Sequence, residues 1–260
     1  MPSENRFENN NRKRSDLIWI YGKHSVFNII KKRRRKIHQI LLTKNSLKDF
    51  NLFINNNNIK HVVNSQIKIV DSNYIEKVVG KNTVNQSMVI CCDSIPLKSQ
   101  NDLISHLEKI ENKPRNILIM DQINDPHNVG AIIRSAAAFG IKNIVMSEYN
   151  FSKETSIIHK SSAGTIEDVN IYSVININNL IEKLKKINYV VIGLDGSSEK
   201  LVREFRGENN IAIIVGSEGS GIRALVKKNC SFLVKIPMEN QIESLNASVA
   251  AAIALYEIKG

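Results

Sequence analysis

The chain is poor in the features that staple or anchor a protein. Its 260 residues include only three cysteines, Cys91, Cys92 and Cys230. Two adjacent thiols and one remote one build neither a disulfide framework nor a zinc site, so a reduced, cytosolic setting is expected. No segment approaches the ~18 consecutive apolar residues of a membrane span, which excludes a transmembrane helix and a membrane partner of that kind. The opening segment MPSENRFENNNRKRSD lacks an apolar core, so no signal peptide is expected, and Glu4, Glu8 and Asp16 interrupt its basic residues in a way unlike a transit peptide. The six histidines show no metal-ligand spacing, so no metal is expected. Aromatics make up 6 % of the chain, and those near its basic segment (Trp19, Tyr21, Phe27) are too few to argue for base stacking.

What is present is an ordinary globular composition with lopsided charge. Hydrophobic residues are 42 % and charged residues 23 %, enough for one large domain or two ordinary ones. The net charge is +11. Residues 1–60 hold 14 basic and 4 acidic side chains, whereas the other 200 hold 22 and 21. A basic N-terminal quarter on a nearly neutral remainder points to a polyanionic partner. Its densest stretch is Lys31, Lys32, Arg33, Arg34, Arg35 and Lys36, expected to track phosphates.

Patterning divides the chain. Residues 1–15 are polar and aperiodic and read as a disordered, basic tail. Residues 16–92 read as a small α/β unit: strand LIWIYG, helix His24–Lys31, strand IHQILLT, helix Leu47–Ile54, short strand HVV, helix Tyr74–Val79 and buried strand SMVICC. Residues 93–115, with one helical pattern (Leu103–Ile110) between Pro96 and Pro114, read as a linker. From Asn116 to the end, strands rich in Ile and Val alternate with helices, which predicts a parallel sheet covered on both faces. Ligands in such sheets bind at the loops after the strands' carboxyl ends.

Three of those loops are unusual. In DQINDPHNVGAIIRSAAAFG (121–140), Asn128 is placed to cap a helix, Gly130 to let another chain or a ligand approach, and Gly140 to stop the helix. Arg134 is the only charge between Asn128 and Gly140: either an exposed helix arginine or a guanidinium aimed into a phosphate-binding cleft. His127 beside Asn128 could touch substrate or simply be an exposed loop residue. In IVGSEGSGIRALVKK (214–228), a strand enters Gly216-Ser217-Glu218-Gly219-Ser220-Gly221. This lacks both G-x-G-x-x-G and the Lys-Ser/Thr of a P-loop, and Glu218 would repel phosphates, so an adenosine or another ligand without a phosphate chain suits it better. In VKIPMENQIESLNASVAAAIALYE (234–257), Ser244 or Asn246 can cap an alanine-rich helix.

Taken together, N-x-G-x-x-x-R, then G-S-E-G-x-G, then I-P-M and S-L-N-x-S-x-A resemble, in order and spacing, the three motifs of the SpoU (TrmH-like) RNA ribose 2′-O-methyltransferases. The stretch from Ile20-Tyr21-Gly22-Lys23-His24 through Asn85-Gln86-Ser87 resembles the accessory domain of the bacterial enzymes that methylate a 23S rRNA guanosine. The resemblance implies a SPOUT-type α/β domain with a trefoil knot, an L30e-like RNA-binding domain before it, S-adenosylmethionine as methyl donor, and a homodimer. It also implies large-subunit rRNA, or its assembly intermediate, as partner. Matched motif by motif, Gly216, Ile236 and Leu245 would line the donor pocket, and Leu194, after the strand YVVIG, would line it with them. Arg134, Asn128, Glu218, Ser244 and Asn246 would form the catalytic centre.

The family's arginine is usually assigned as a general base, yet a guanidinium with a pKa above about 12 is a poor base at neutral pH. A phosphate clamp that orients the ribose suits Arg134 better. Two readings compete: a tRNA ribose methyltransferase, which usually lacks such an accessory domain, and an inactive RNA-binding assembly factor, against which intact Arg134, Glu218 and Asn246 argue. A nucleotide-dependent dehydrogenase is disfavoured, because G-x-G-x-x-G with a following acidic residue is missing.

Overall fold

A computed structural model describes residues 17–62, 64–81, 83–109, 116–147, 154–239 and 244–259. The tail at 1–15 lies outside them. Two sheets organise the chain.

The first sheet belongs to the N-terminal unit. β1 (Leu17–Tyr21), α1 (Lys23–Lys32), β2 (Ile37–Leu42), α2 (Lys44–Asn56), β3 (Ile67–Ile69), α3 (Ser72–Val79) and β4 (Met88–Asp93) follow in sequence. Strand order is β1-β4-β2-β3, with β4 antiparallel to both neighbours and β3 parallel to β2. Thr43 and Ser46 cap α2 reciprocally, each side chain accepting from the other's backbone N–H. The expected strand at HVV is absent from His61 and Val62, and residue 63 lies outside the described residues. Val62 packs into the core and the His61 ring sits 2.8 Å from the Ile30 carbonyl oxygen, so this stretch is tied to the end of α1. The strand beside β2 is Ile67–Ile69 instead.

The second sheet has six strands, all parallel, in the order β10-β8-β9-β5-β6-β7. Its elements are α4 (Gln100–Lys109), β5 (Ile117–Asp121), α5 (Pro126–Ala138), β6 (Asn143–Ser147), α6 (Ser156–Ser161), β7 (Asn170–Val174), α7 (Ile177–Lys186), β8 (Val190–Leu194), β9 (Ile211–Gly216), α8 (Ala224–Asn229), β10 (Phe232–Val234) and α9 (Ala247–Lys259). Alternate strand residues serve opposite faces. Leu118 and Met120 pack with Ile132, Ile133 and Ala136 of α5 and with Ala251 and Ala254 of α9. Ile117 and Ile119 pack with Leu180, Ile181 and Leu184 of α7. Burial on both faces is why these strands read as apolar runs without alternation.

Two expectations are corrected here. Residues 93–115 are not a free linker over their described part: Leu103 and Leu107 of α4 are buried on the α7 face of the second sheet. Lys98 joins the edge of β7 through Lys98 N–H to Ile171 O (3.0 Å) and Ser173 N–H to Lys98 O (2.8 Å). An amphipathic helix must cover its apolar stripe, and the nearest sheet face supplies the cover.

The basic run is also divided. Lys31, Arg33 and Lys36 are exposed, but Arg35 is buried, with 1 % of its side chain accessible. It pairs with Glu154 (2.8 Å) and Glu167 (2.5 Å) and donates to the Asp93 carbonyl oxygen (3.1 Å). Glu154 also meets the buried His159 ring and accepts from Ile95 N–H (2.6 Å). Arg34 donates to the carbonyls of Ile166, Glu167 and Val169, and Lys32 pairs with Asp168. Arg35 is therefore withdrawn from any phosphate. Together with Arg34 and Lys32 it forms the joint between the two units, which Ser25 extends by donating to His159 O (3.2 Å).

Burial opposes the charge on Arg35, but the carboxylates of Glu154 and Glu167 outweigh it and raise its pKa. Burial pushes the Glu154 carboxyl up, while His159 and Arg35 pull it down further, so its pKa is lowered overall. Arg35→Ala should cost about 3–5 kcal/mol, because it strands two carboxylates in the joint; urea unfolding measures it. A carboxyl held low in the folded state contributes fully above its unfolded pKa and loses that contribution as pH falls through the folded value. Glu154→Gln should therefore flatten the acid limb of the stability curve, read as melting temperature against pH.

Candidate functional site

A cleft of about 240 Å³ opens where β8, β9 and β10 end. These are carboxyl ends in a parallel sheet whose strand order reverses, the place where such sheets bind ligands. Its apolar wall includes Leu194, Val215, Val234, Ile236 and Leu245, and its other wall is the backbone of the Ser217–Gly221 loop. That loop folds back on itself through Ser217 N–H to Gly221 O (3.2 Å) and Gly221 N–H to Ser217 O (2.9 Å). The closure requires glycine at 216: a Cβ there would lie 2.1 Å from the Gly221 carbonyl carbon and 2.3 Å from Ile222 N. The four residues expected to line a donor pocket, Leu194, Gly216, Ile236 and Leu245, all line this cleft.

At the rim, Asn246 joins the three motif loops. Its Nδ2 donates to Asn128 Oδ1 and to Glu218 Oε2, both at 3.0 Å. Its Oδ1 accepts from Ser248 N–H (2.9 Å) and Ser248 Oγ (2.6 Å), so the same amide also caps α9. Cap and bridge are thus one residue, with the amide orientation set by its donors and acceptors. Glu218 and Ser244 line the cleft and are exposed. Part of the third loop, 240–243, lies outside the described residues.

Several placements differ from expectation. Asn128 is not the cap of α5; Asp125 is, accepting from His127 N–H and Asn128 N–H at 3.2 Å, with Pro126 opening the helix. This frees the Asn128 side chain for Asn246. Gly130 admits neither another chain nor a ligand: a Cβ there would meet Ser161 Oγ at 2.0 Å and Ile158 O at 2.7 Å, so it seats α6 against α5. His127 is exposed. Arg134 is exposed and makes no hydrogen bond or ion pair with the described residues. Six residues along α5, it lies one to two turns beyond Asn128 and about 120° around an ideal helix from it.

The sequence reading missed three charged residues of the cleft, Asp195, Lys227 and Lys235, of which Asp195 and Lys227 pair at 2.7 Å. Burial raises the Asp195 carboxyl, but its bonds to Lys227 and Ser197 outweigh this and lower its pKa. Adjacency to Leu194 at a strand's carboxyl end was the signal for Asp195; nothing local marked Lys227.

The chain is similar to known proteins. The family model described as the SpoU rRNA Methylase family matches residues 115–256. The 23S rRNA (guanosine-2′-O-)-methyltransferase RlmB of Coxiella burnetii is 31 % identical over 94 % of this chain and 96 % of its own length. YacO of Bacillus subtilis, assigned by name to the TrmH family of tRNA/rRNA methyltransferases, is 31 % identical over 92 % of this chain and 94 % of its own. Among solved structures, the SpoU methyltransferase AviRb of Streptomyces viridochromogenes, in complex with AdoMet, matches with a TM-score of 0.74 at 18 % identity, covering 97 % of this chain and 93 % of its own. That likeness bears on the fold. With the second and third motif loops lining one cleft, the first tied to them through Asn246, and a family match over more than half its length, the chain belongs to the SpoU rRNA methylase family, whose members are RNA methyltransferases.

Proposed function

We propose that the chain transfers a methyl group from S-adenosylmethionine to the 2′-oxygen of a guanosine ribose in large-subunit rRNA. The observation that carries this is the Asn246 bridge, which brings Asn128 and Glu218 together at the rim of the cleft. The cleft's chemistry fits the donor: apolar side chains for a nucleoside base, the Ser217–Gly221 loop opposite, and the Glu218 carboxylate near a cation, with Asp195 already neutralised by Lys227. Leu194, Gly216, Ile236 and Leu245 would hold the donor. When bound, S-adenosylmethionine supplies an electrophilic methyl group on a sulfonium.

The chain's own residues then position the acceptor. Asn246 fixes Glu218 and Asn128, whose remaining polar atoms hold the ribose, and Ser244 stands at the cleft beside them. Arg134 clamps the phosphate next to the target ribose and stabilises charge developing on the 2′-oxygen, while phosphate or water takes the proton.

Guanosine in large-subunit rRNA is favoured over tRNA because the relative so named aligns along almost the whole chain, N-terminal unit included. We assign RNA binding to that L30e-like unit. Its exposed cations Lys31 and Arg33 line a groove with Lys60 and His61, and Lys36 is exposed nearby in sequence. The family resemblance implies a trefoil-knotted path, in which the segment after β8 would be held against the chain beyond β10 and against α9 by Val202 N–H to Lys235 O (3.0 Å) and Gly207 N–H to Ile258 O (2.9 Å). A cytoplasmic homodimer completes the reading. Val249 and Tyr256 are exposed along α9 with Ile253 half-buried between them, an apolar stripe at helical spacing that a second copy would cover. Arg134, exposed and outside the hydrogen bonds of its own Asn246 bridge, would serve the other copy's site.

The test is transfer of labelled methyl from S-adenosylmethionine to unmodified 23S rRNA transcript, with tRNA as control. Label mapping to a 2′-O-methylguanosine is expected; label on tRNA alone would overturn the substrate. Arg134→Ala should lower transfer by about 10²–10³. Arg134→Lys keeps the charge without the planar fork, and full activity in that variant would refute the clamp. Co-expressed Arg134→Ala and Asn246→Ala chains should recover activity that each homodimer lacks; no recovery would place Arg134 in its own subunit's site.

A further inference from the structure

Resting on the reading of the cleft as the methyl-donor site, we propose that Asp121 is a positioning residue of that site, holding the Glu218 loop through Arg223 in the shape that takes the donor. Asp121 is the last residue of β5 and is fully buried, at 0 % exposure. It is not one of the motif residues. A fully buried carboxylate loses its hydration, so its partners must replace water.

They do, and the described ones all come from one residue. Asp121 Oδ2 accepts from Arg223 N–H (3.0 Å), and Oδ1 accepts from Arg223 Nε–H (2.8 Å) and lies 2.8 Å from the second guanidinium nitrogen. Arg223 immediately precedes α8 and follows the loop that lines the cleft. In the β5–β9 ladder Asp121 stands opposite Gly216, the residue that enters the same loop. One residue therefore fixes both the entry and the exit of the Ser217–Ile222 segment. Glu218, and through it the Asn246 bridge, sits between those fixed points.

The pairing is not forced by burial of the arginine. The Arg223 side chain is 43 % exposed and could be hydrated instead. The constraint runs the other way, from a buried anion to a loop exit that the chain would otherwise leave free. Holding the loop in its binding shape before the donor arrives removes the cost of ordering it on binding.

A double-mutant cycle tests the assignment. S-adenosylhomocysteine is titrated calorimetrically into wild type, Asp121→Asn, Arg223→Met and the double variant, and steady-state methyl transfer is measured alongside. Each single change should raise Kd about tenfold, the effect of reducing the competent loop population to about a tenth. The double should be no weaker than either single. KM for the donor should rise while kcat at saturating donor is unchanged, and Arg223→Lys, which keeps a cation for Asp121, should recover part of the loss. Should Asp121→Asn fail to fold, Arg223→Met at its half-exposed position carries the test alone. Wild-type affinity in the variants, losses that multiply in the double, or a fall only in thermal stability and kcat would each overturn the assignment. Absence of binding to wild type would overturn the donor reading itself, before any variant is compared.

Discussion

The site depends on a backbone contact that only glycine permits. Where β9 leaves the sheet, Gly216 lies against the Gly221–Ile222 peptide with no room for a side chain. That contact turns a strand end into a closed loop and sends Glu218 to the rim of the cleft. From there the order propagates by hydrogen bonds: Glu218 to Asn246, Asn246 to Asn128, and Asn246 into the first turn of α9. The first link is steric and the later ones are polar. A polar network of this kind is worth having only when a rigid frame presents each member at bonding distance.

Much of this was legible in the sequence because the signals are local. Six Ile/Val-rich runs, each joined to a helix, announced the parallel sheet, and the glycines at 216, 219 and 221 announced a tight turn at a strand end. The residues expected to line the cleft do so. What stayed hidden depends on partners distant in sequence. Nothing around Arg35 distinguishes it from Arg33, yet one is buried against Glu154 and Glu167 and the other is exposed; the deciding carboxylates lie more than a hundred residues away. Asn128 looked like a cap because asparagine before a helix usually is one, but Asp125 is three residues earlier and Pro126 fixes the helix start there. The α4 segment read as a link because two prolines flank its helical pattern, and proline marks punctuation, not independence.

The competing readings of Asn246 were not exclusive. Its oxygen caps a helix and its nitrogen bridges two loops, so a single amide side chain serves stability and site geometry at once. Asp or Ser at this position could cap α9 equally well, but neither presents the two N–H donors that face Asn128 and Glu218. The identity of the cap thus carries functional information that its position alone does not.

Helix α6 has a double role in the frame. On one side it seats in the notch left by Gly130 on α5, the helix that carries Asn128 and Arg134. On the other, His159 and the Glu154 and Glu167 around it receive Arg35 and Ser25 from the N-terminal unit. The two units are consequently not interchangeable modules. Grafting a different N-terminal unit onto the second one would leave two acidic side chains facing an interior without their arginine. A workable chimera must therefore be cut so that both halves of the joint travel together, and the useful seam runs through three-dimensional space, not along the sequence.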